Sequence, residues 1–313
     1  MKKIVRPLVV ATMLLGLVSQ QVYAIDTTAI NEKWGKPTVV YGGGLNDQQI
    51  KETSKLLGIK DENTVTTTKA TGEDLVKYLG AGEANTSVMI SSVMVQKRNK
   101  GEGVKVHIAT PKNITLVTSE QYANAAITAG VADAEIEVAA VSKVTGESAL
   151  TGVYKAFEAN GVVLDGKRTA VAQQELELTN QIAQEQSKEK GFDAAKLDQA
   201  MIDIKKSLAE IKEKQGQVAT KEDVERIVND ALKKYGLDKV ISPTQVNNII
   251  QFALSYQQTS AIDSKQVLEQ LNSLSNTVKG KIGQLVDQAN REGWFDKIVT
   301  FFKEIFNAIF QSK

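Results

Sequence analysis

The sequence predicts an α+β fold, or an α/β sandwich, followed by an all-helical hairpin or bundle. Three observations carry that reading. Short β-prone runs alternate with capped helices between residues 38 and 165. From about residue 166 every apolar repeat takes helical spacing. Glycines and N-cap residues punctuate the segments throughout. The expected division is a signal peptide at 1–24, an α+β unit at 25–165, a helical unit at 166–291 and an amphipathic aromatic helix at 292–313.

The first segment reads as an address. Lys2, Lys3 and Arg6 precede the apolar run Leu8 to Val18, and Val22-Tyr23-Ala24 suits a signal peptidase. Cleavage is expected after Ala24, giving a secreted or extracytoplasmic protein. Loss of those three positive charges takes the formal net charge from +1 to −2, which provides no general attraction for nucleic acid.

Thr38 to Tyr41 is a β-prone run ending in Gly42-Gly43-Gly44. Asn46 caps the next helix, with Ile50, Leu56 and Leu57 on its apolar face and Gly58 as its stop. Thr64 to Thr68 is a strand candidate, and Thr71 with Asp74 forms a capping box. Val88 to Val95 and Val104 to Ile108 read as strands joined by a hairpin turn at Lys97 to Gly103. Ser119 opens a helix that Gly130 closes. Ala134 to Val141 is a strand with Ile136 and Val138 on one face and Glu135 and Glu137 on the other. Ser148, read as an N-cap, begins a helix running to Ala159.

In the second half Leu197, Met201, Ile204, Leu208 and Ile211 repeat with 4-3-4-3 spacing. Thr220 with Asp223 opens a helix carrying Val224, Ile227, Val228 and Ala231. Ser242-Pro243 with Gln245 combines an N-cap, a proline at the first helical position and a capping box. Val267, Leu271, Leu274, Val278, Ile282 and Leu285 form the next stripe, and loops are expected near 216–220, 236–242 and 258–264. An elongated coiled-coil stalk is the other arrangement that this spacing permits.

Five of the eight phenylalanines lie between Phe295 and Phe310. Trp294, Phe295, Ile298, Phe301, Phe302, Ile305, Phe306, Ile309 and Phe310 recur at helical spacing and form the candidate interaction face. Such a face either closes a bundle or lies against lipid or a partner's groove. Its opposite side is mixed in charge (Asp296, Lys297, Lys303 and Glu304), which weakens attraction to anionic lipid.

The sequence names no reaction. It has no cysteine, which excludes disulfides, thiolate nucleophiles and Cys-ligated metal, and its one histidine, His107, excludes any site needing two imidazoles. No metal-ligand spacing or cofactor motif is present. Gly42-Gly43-Gly44 lacks the spacing of a dinucleotide or Walker loop and reads as a turn. Gly146-Glu147-Ser148-Ala149-Leu150 lacks the closing glycine of a nucleophile elbow. Glu135 and Glu137 share a strand face, where paired-carboxylate chemistry is geometrically allowed but solvated carboxylates are ordinary. No catalytic, cofactor-binding or metal residue is therefore assigned.

One stretch is distinctive. Asn113-Ile114-Thr115, Thr118, Tyr122 and Thr128-Ala129-Gly130-Val131 lead into Ala132-Asp133-Ala134, then into Val138-Ala139-Ala140, and then into Val144 to Ala156 with its run Thr145-Gly146-Glu147-Ser148-Ala149-Leu150-Thr151-Gly152-Val153-Tyr154-Lys155-Ala156. With Gly44 to Gln49 and Ile90 to Val93, these resemble the YpuA-like secreted proteins of Gram-positive bacteria, a domain family of unknown function. Val141 stands where family members often carry proline. The resemblance implies an extracytoplasmic protein of the cell envelope and no catalytic residues. The expected function is thus non-enzymatic, through an envelope or secreted protein partner. The alternatives are membrane-interface activity through the C-terminal face, or an envelope-polymer enzyme using carboxylates.

Overall fold

The computed structural model describes Ile25, residues 34–80 and residues 83–290. The expected signal peptide at 1–24 and the aromatic face from Trp294 to Phe310 lie outside the described residues. What is described is an α+β architecture. A five-stranded mixed sheet contains β1 (Thr38–Gly42), β2 (Thr66–Ala70), β3 (Ser92–Lys97), β4 (Val104–Ile108) and β5 (Ala134–Ala139). Their spatial order is β2-β1-β3-β5-β4.

β1 runs parallel to β2 and antiparallel to β3, while β5 is antiparallel to β3 and parallel to β4. The hairpin expected between β3 and β4 is therefore corrected: their connection turns back, but β5 inserts between them. The insertion is held by Asp133, which enters β5 with a left-handed φ of 48°. Its Oδ1 accepts from the backbone N–H groups of Gly101 (2.9 Å) and Gly103 (3.1 Å), and its carbonyl accepts from Arg98 N–H (2.6 Å). Three backbone donors of the turn, those of Arg98, Gly101 and Gly103, are satisfied by this one residue, while Asn99 and Glu102 bond each other.

Period-2 alternation separates two sheet faces. Val40, Val93, Val95, Ile136 and Val138 point towards the larger core, and α4 (Ser148–Ala159) and α3 (Ser119–Ala129) cover that side. Gly152 brings α4 close, since a Cβ there would lie 3.0 Å from Val93 Cγ2. Val39, Tyr41, Met94 and Ala139 point the other way, into a smaller core with Leu45, Leu57 and Ile59 around α1 (Asp47–Leu56).

Caps account for most helix starts. Asn46, Thr71, Thr118 and Ser242 each complete a capping box, at the heads of α1, α2 (Gly72–Leu79), α3 and α8 (Pro243–Tyr256). Ser148 is not a cap: the N-cap of α4 is Glu147, in a helical conformation and without a side-chain capping bond. Glycine at 146, with φ 109°, already turns the chain into the helix. Strand boundaries also move, and β5 ends at Ala139 rather than Val141. β2 starts at Thr66 because Glu62–Thr64 is a 3-10 turn, and β3 starts at Ser92 because Thr86–Val88 is another.

The later helices are α5 (Gly166–Gln186), α6 (Ala194–Gln215), α7 (Lys221–Lys234), α8 and α9 (Lys265–Asn290). Leu197, Met201, Ile204 and Leu208 of α6 are buried, as are Val267, Leu271, Leu274 and Val278 of α9. Leu285 lies outside the described side chains. These helices pack on one another and on α3, which supplies Ala123 and Ile127 to their core and Tyr122, Ala125, Ala126 and Ala129 to the sheet core. α5 is divided in the same way, with Leu178 and Ile182 on one side and Ala172 and Leu176 on the other.

Candidate functional site

The sites considered from sequence resolve into structural roles. The N–H groups of Gly43 and Gly44 donate to Ala70 O (2.7 Å) and Met89 O (3.0 Å), and Gly42 N–H donates to Ser92 Oγ (3.0 Å). A loop whose donors are already taken has none to offer a phosphate. A Cβ at Gly42 would meet Met89 O at 2.2 Å, so close backbone approach accounts for the glycine. Gly146 is clamped from α3, where Tyr122 OH donates to its carbonyl at 2.5 Å. Asn113 Nδ2 ties to Ala140 O at 2.7 Å, and Ile114 bridges Val144. The distinctive 113–156 stretch is therefore a set of loop clamps around β5 and α4.

Glu135 and Glu137 part company. Glu135 is ion-paired with Arg98. Glu137 is buried in the smaller core, where it lies in register with His107 of β4 and Met94 of β3. Burial pushes its carboxyl up to about 7, against a lowering by the backbone N–H of Ile25. Burial likewise lowers His107. Glu135 and Glu137 thus do not converge on an open cleft.

A buried polar joint, which sequence reasoning did not find, lies where the two cores meet. Lys205 Nζ is fully buried and sits 2.8 Å from Glu175 Oε1. Lys205 also donates to Asn124 Oδ1 (2.6 Å) and Thr128 Oγ1 (2.9 Å), while Thr128 Oγ1 and Asn124 Nδ2 donate to Glu175. The Tyr256 ring faces the ammonium at 5.7 Å. Burial lowers the Lys205 pKa, and Glu175 opposes that lowering. The signal was faint: Lys205 adjoins the apolar stripe at Met201, Ile204 and Leu208. Nearby, Asp198 is buried on α6 and accepts from Thr118 Oγ1 at 3.2 Å. Burial, reinforced by Glu120, holds its carboxyl far above the ordinary range.

One accessible feature is a polar cleft of about 560 Å³ between α6 and α7. Asp203, Lys206, Glu210 and Lys214 line one wall, and Asp223, Arg226, Asp230 and Lys234 the other, with Lys279 of α9 at one side. Three pairs are closed internally: Lys234 with Asp203 (2.6 Å), Arg226 with Asp223 (2.8 Å) and Lys214 with Glu210 (3.5 Å). Burial raises the Asp203 pKa, but hydrogen bonds from Lys234, Tyr235 and Gln199 outweigh it and hold the carboxylate low. Lys206, Lys279 and Asp230 form no ion pair among the described residues. The cleft therefore presents two ammonium groups and one carboxylate, Asp230, outside any ion pair among the described residues. Among the described residues no group of three metal-ligating side chains is present, and no helix is long and apolar enough to cross a membrane.

Residues 41–274 match the family described as "Protein of unknown function (DUF1002)". The chain belongs to that family. It is also 31% identical over 281 residues to "Uncharacterized protein YpuA" of Bacillus subtilis (strain 168), covering 88% of this chain and 89% of that relative. No solved structure matches. The DUF1002 region covers the sheet from Tyr41 of β1 onward, the clamped 113–156 stretch, the buried joint and both walls of the cleft, with Lys279 just beyond its end. The expected signal peptide and the C-terminal aromatic face fall outside it.

Proposed function

We propose that this DUF1002 protein acts outside the cytoplasm by binding rather than by catalysis, with an anionic segment of an envelope or secreted protein as partner. The observation that carries the reading is the α6–α7 cleft, where Lys206 and Lys279 form no ion pair among the described residues. The leader pattern at 1–24 supports an extracytoplasmic location. Catalysis by paired carboxylates has little support, because Glu135 is engaged by Arg98 and Glu137 is only 3% exposed. The two units at 25–165 and 166–291, the second a helical hairpin or bundle, belong to the same proposal. They would move as one body, because α3 and α5 carry residues of both cores.

The test is co-sedimentation of the mature protein with isolated envelope. Exchange of Lys206→Glu together with Lys279→Glu is expected to lower binding at least tenfold and to flatten its salt dependence. Undiminished binding by that variant removes the cleft from the function.

A second reading rests on the apolar period from Trp294 to Phe310. That helix would dock on a membrane surface, and deletion of 292–313 would then abolish vesicle binding without altering the melting temperature. A collapse of thermal stability instead assigns the face to the core.

A further inference from the structure

We propose that Glu137 is a buried receptor for the chain's own α-amino group, the one created when the leader is removed before Ile25. This rests on the processing after Ala24 that the extracytoplasmic reading assumes. Ile25 is only 5% exposed and packs in the smaller core with Val39, Tyr41, Leu57 and Met94. Its backbone nitrogen donates to the Glu137 carboxylate. The other carboxylate oxygen, Oε2, is buried and has no hydrogen-bond partner. No lysine or arginine pairs with Glu137 among the described residues.

A buried carboxylate served by one amide N–H is an incomplete arrangement. An ammonium at the same nitrogen completes it. It brings two further N–H donors and a full positive charge to an atom already at hydrogen-bond distance. The other titratable groups on this side of the sheet do not supply that charge in its place. His107 is a cross-strand neighbour whose protonation burial disfavours, Tyr41 OH is bonded to Ser54 Oγ at 2.6 Å, and Glu135 is held by Arg98, while Lys105 of β4 and Lys69 of β2, on the same face, are exposed and form no ion pair among the described residues. From α1 the face receives Ile50 and Ser54, while Lys51, Glu52 and Lys55 are exposed. Cleavage one residue to either side would misplace the amine by about 3.8 Å, so the site reads the exact processing position.

Five forms test the proposal: a chain beginning at Ile25, the same chain with one extra N-terminal Met, an N-acetylated Ile25 chain, and Glu137→Gln both beginning at Ile25 and carrying the extra Met. All are prepared by specific cleavage of a removable N-terminal tag, with acetylation where required. The Ile25 form is expected to melt roughly 10 °C above the Met-extended and acetylated forms at pH 7. In the Glu137→Gln background that gap is expected to vanish. The α-amine of the Ile25 form with Glu137 intact should react with an acylating reagent at least tenfold more slowly than that of the Met-extended chain, a readout independent of the Gln variant's stability. Equal melting temperatures, a gap that persists in Glu137→Gln, or an amine that reacts as fast as an extended one overturns the pair. Intact mass of the naturally exported protein separates the two levels. A first residue other than Ile25 overturns the processing reading and the physiological use of the site, whereas the defined forms judge the amine–carboxylate pair directly.

Discussion

Glu175 and Glu137 are buried almost equally, at 1% and 3% exposure, in opposite surroundings. Glu175 lies at the joint between two helical layers, where Lys205, Asn124 and Thr128 occupy its oxygens. Glu137 lies under the outer face of the sheet, where a single backbone N–H reaches it and the Oε2 atom is unmet. The difference teaches that burial alone does not set the role of a carboxylate. The joint is closed within the described chain and serves to hold helices in register. The outer site is open to one more cation.

Breaking the joint should have the largest effect. Lys205→Met leaves the Glu175 carboxylate buried without its counter-charge and is expected to destabilise the protein by about 3–5 kcal/mol in urea unfolding. Adding Glu175→Leu should recover most of that loss. A single-variant loss below about 1 kcal/mol would mean that water reaches the pair.

The outer carboxylate makes a pH prediction. Where residue 25 remains in amide linkage, the folded-state pKa of Glu137 is near 7 against an ordinary 4.5. Between those values the unfolded chain has lost this proton and the folded chain keeps it. Stability should therefore fall as pH rises from about 4.5 to 7, by roughly 3 kcal/mol for this group. Glu137→Gln should flatten that slope, and thermal melts across the range will show whether it does.

Sheet packing comes next. Gly152→Val pushes methyl groups into Val93 and Val40 and is expected to cost about 1–3 kcal/mol, measured by calorimetry. The smallest effects belong to the cleft. Lys206→Glu with Lys279→Glu should shift stability by less than about 0.5 kcal/mol per site while reducing envelope binding. Lys214→Ala, which breaks an exposed pair with Glu210, should change stability by no more than about 0.5 kcal/mol.

Local grammar was readable. The caps at Asn46, Thr71 and Ser242, the closing Gly130 and the stripe from Leu197 to Leu208 stand where their spacing placed them. The Lys/Glu-rich segments near 185–190 and 210–214 are mostly exposed, but residues 187–190 form the turn after α5 rather than the helix face that the charge pattern suggested. Lys205 and Asp198 were not readable. They lie on a helix packed against α3, α7 and α9, so few of its faces are left to water. The cleft was also hidden, because its walls come from two helices whose charged residues each look like ordinary solvent faces.

The sequence by itself determined short-range features: the starts of helices such as those capped by Asn46, Thr71 and Ser242, which strand positions share a face, and which catalytic chemistries lack their side chains. These follow from backbone donors near in sequence and from the 2.0 and 3.6 periods. Only the tertiary structure decided that β5 separates β3 from β4, that Lys205 meets Glu175, and that Ile25 reaches Glu137. Those contacts join residues 30 to 112 positions apart, and the pairing is chosen by competition among all buried surfaces at once. No local period carries that information.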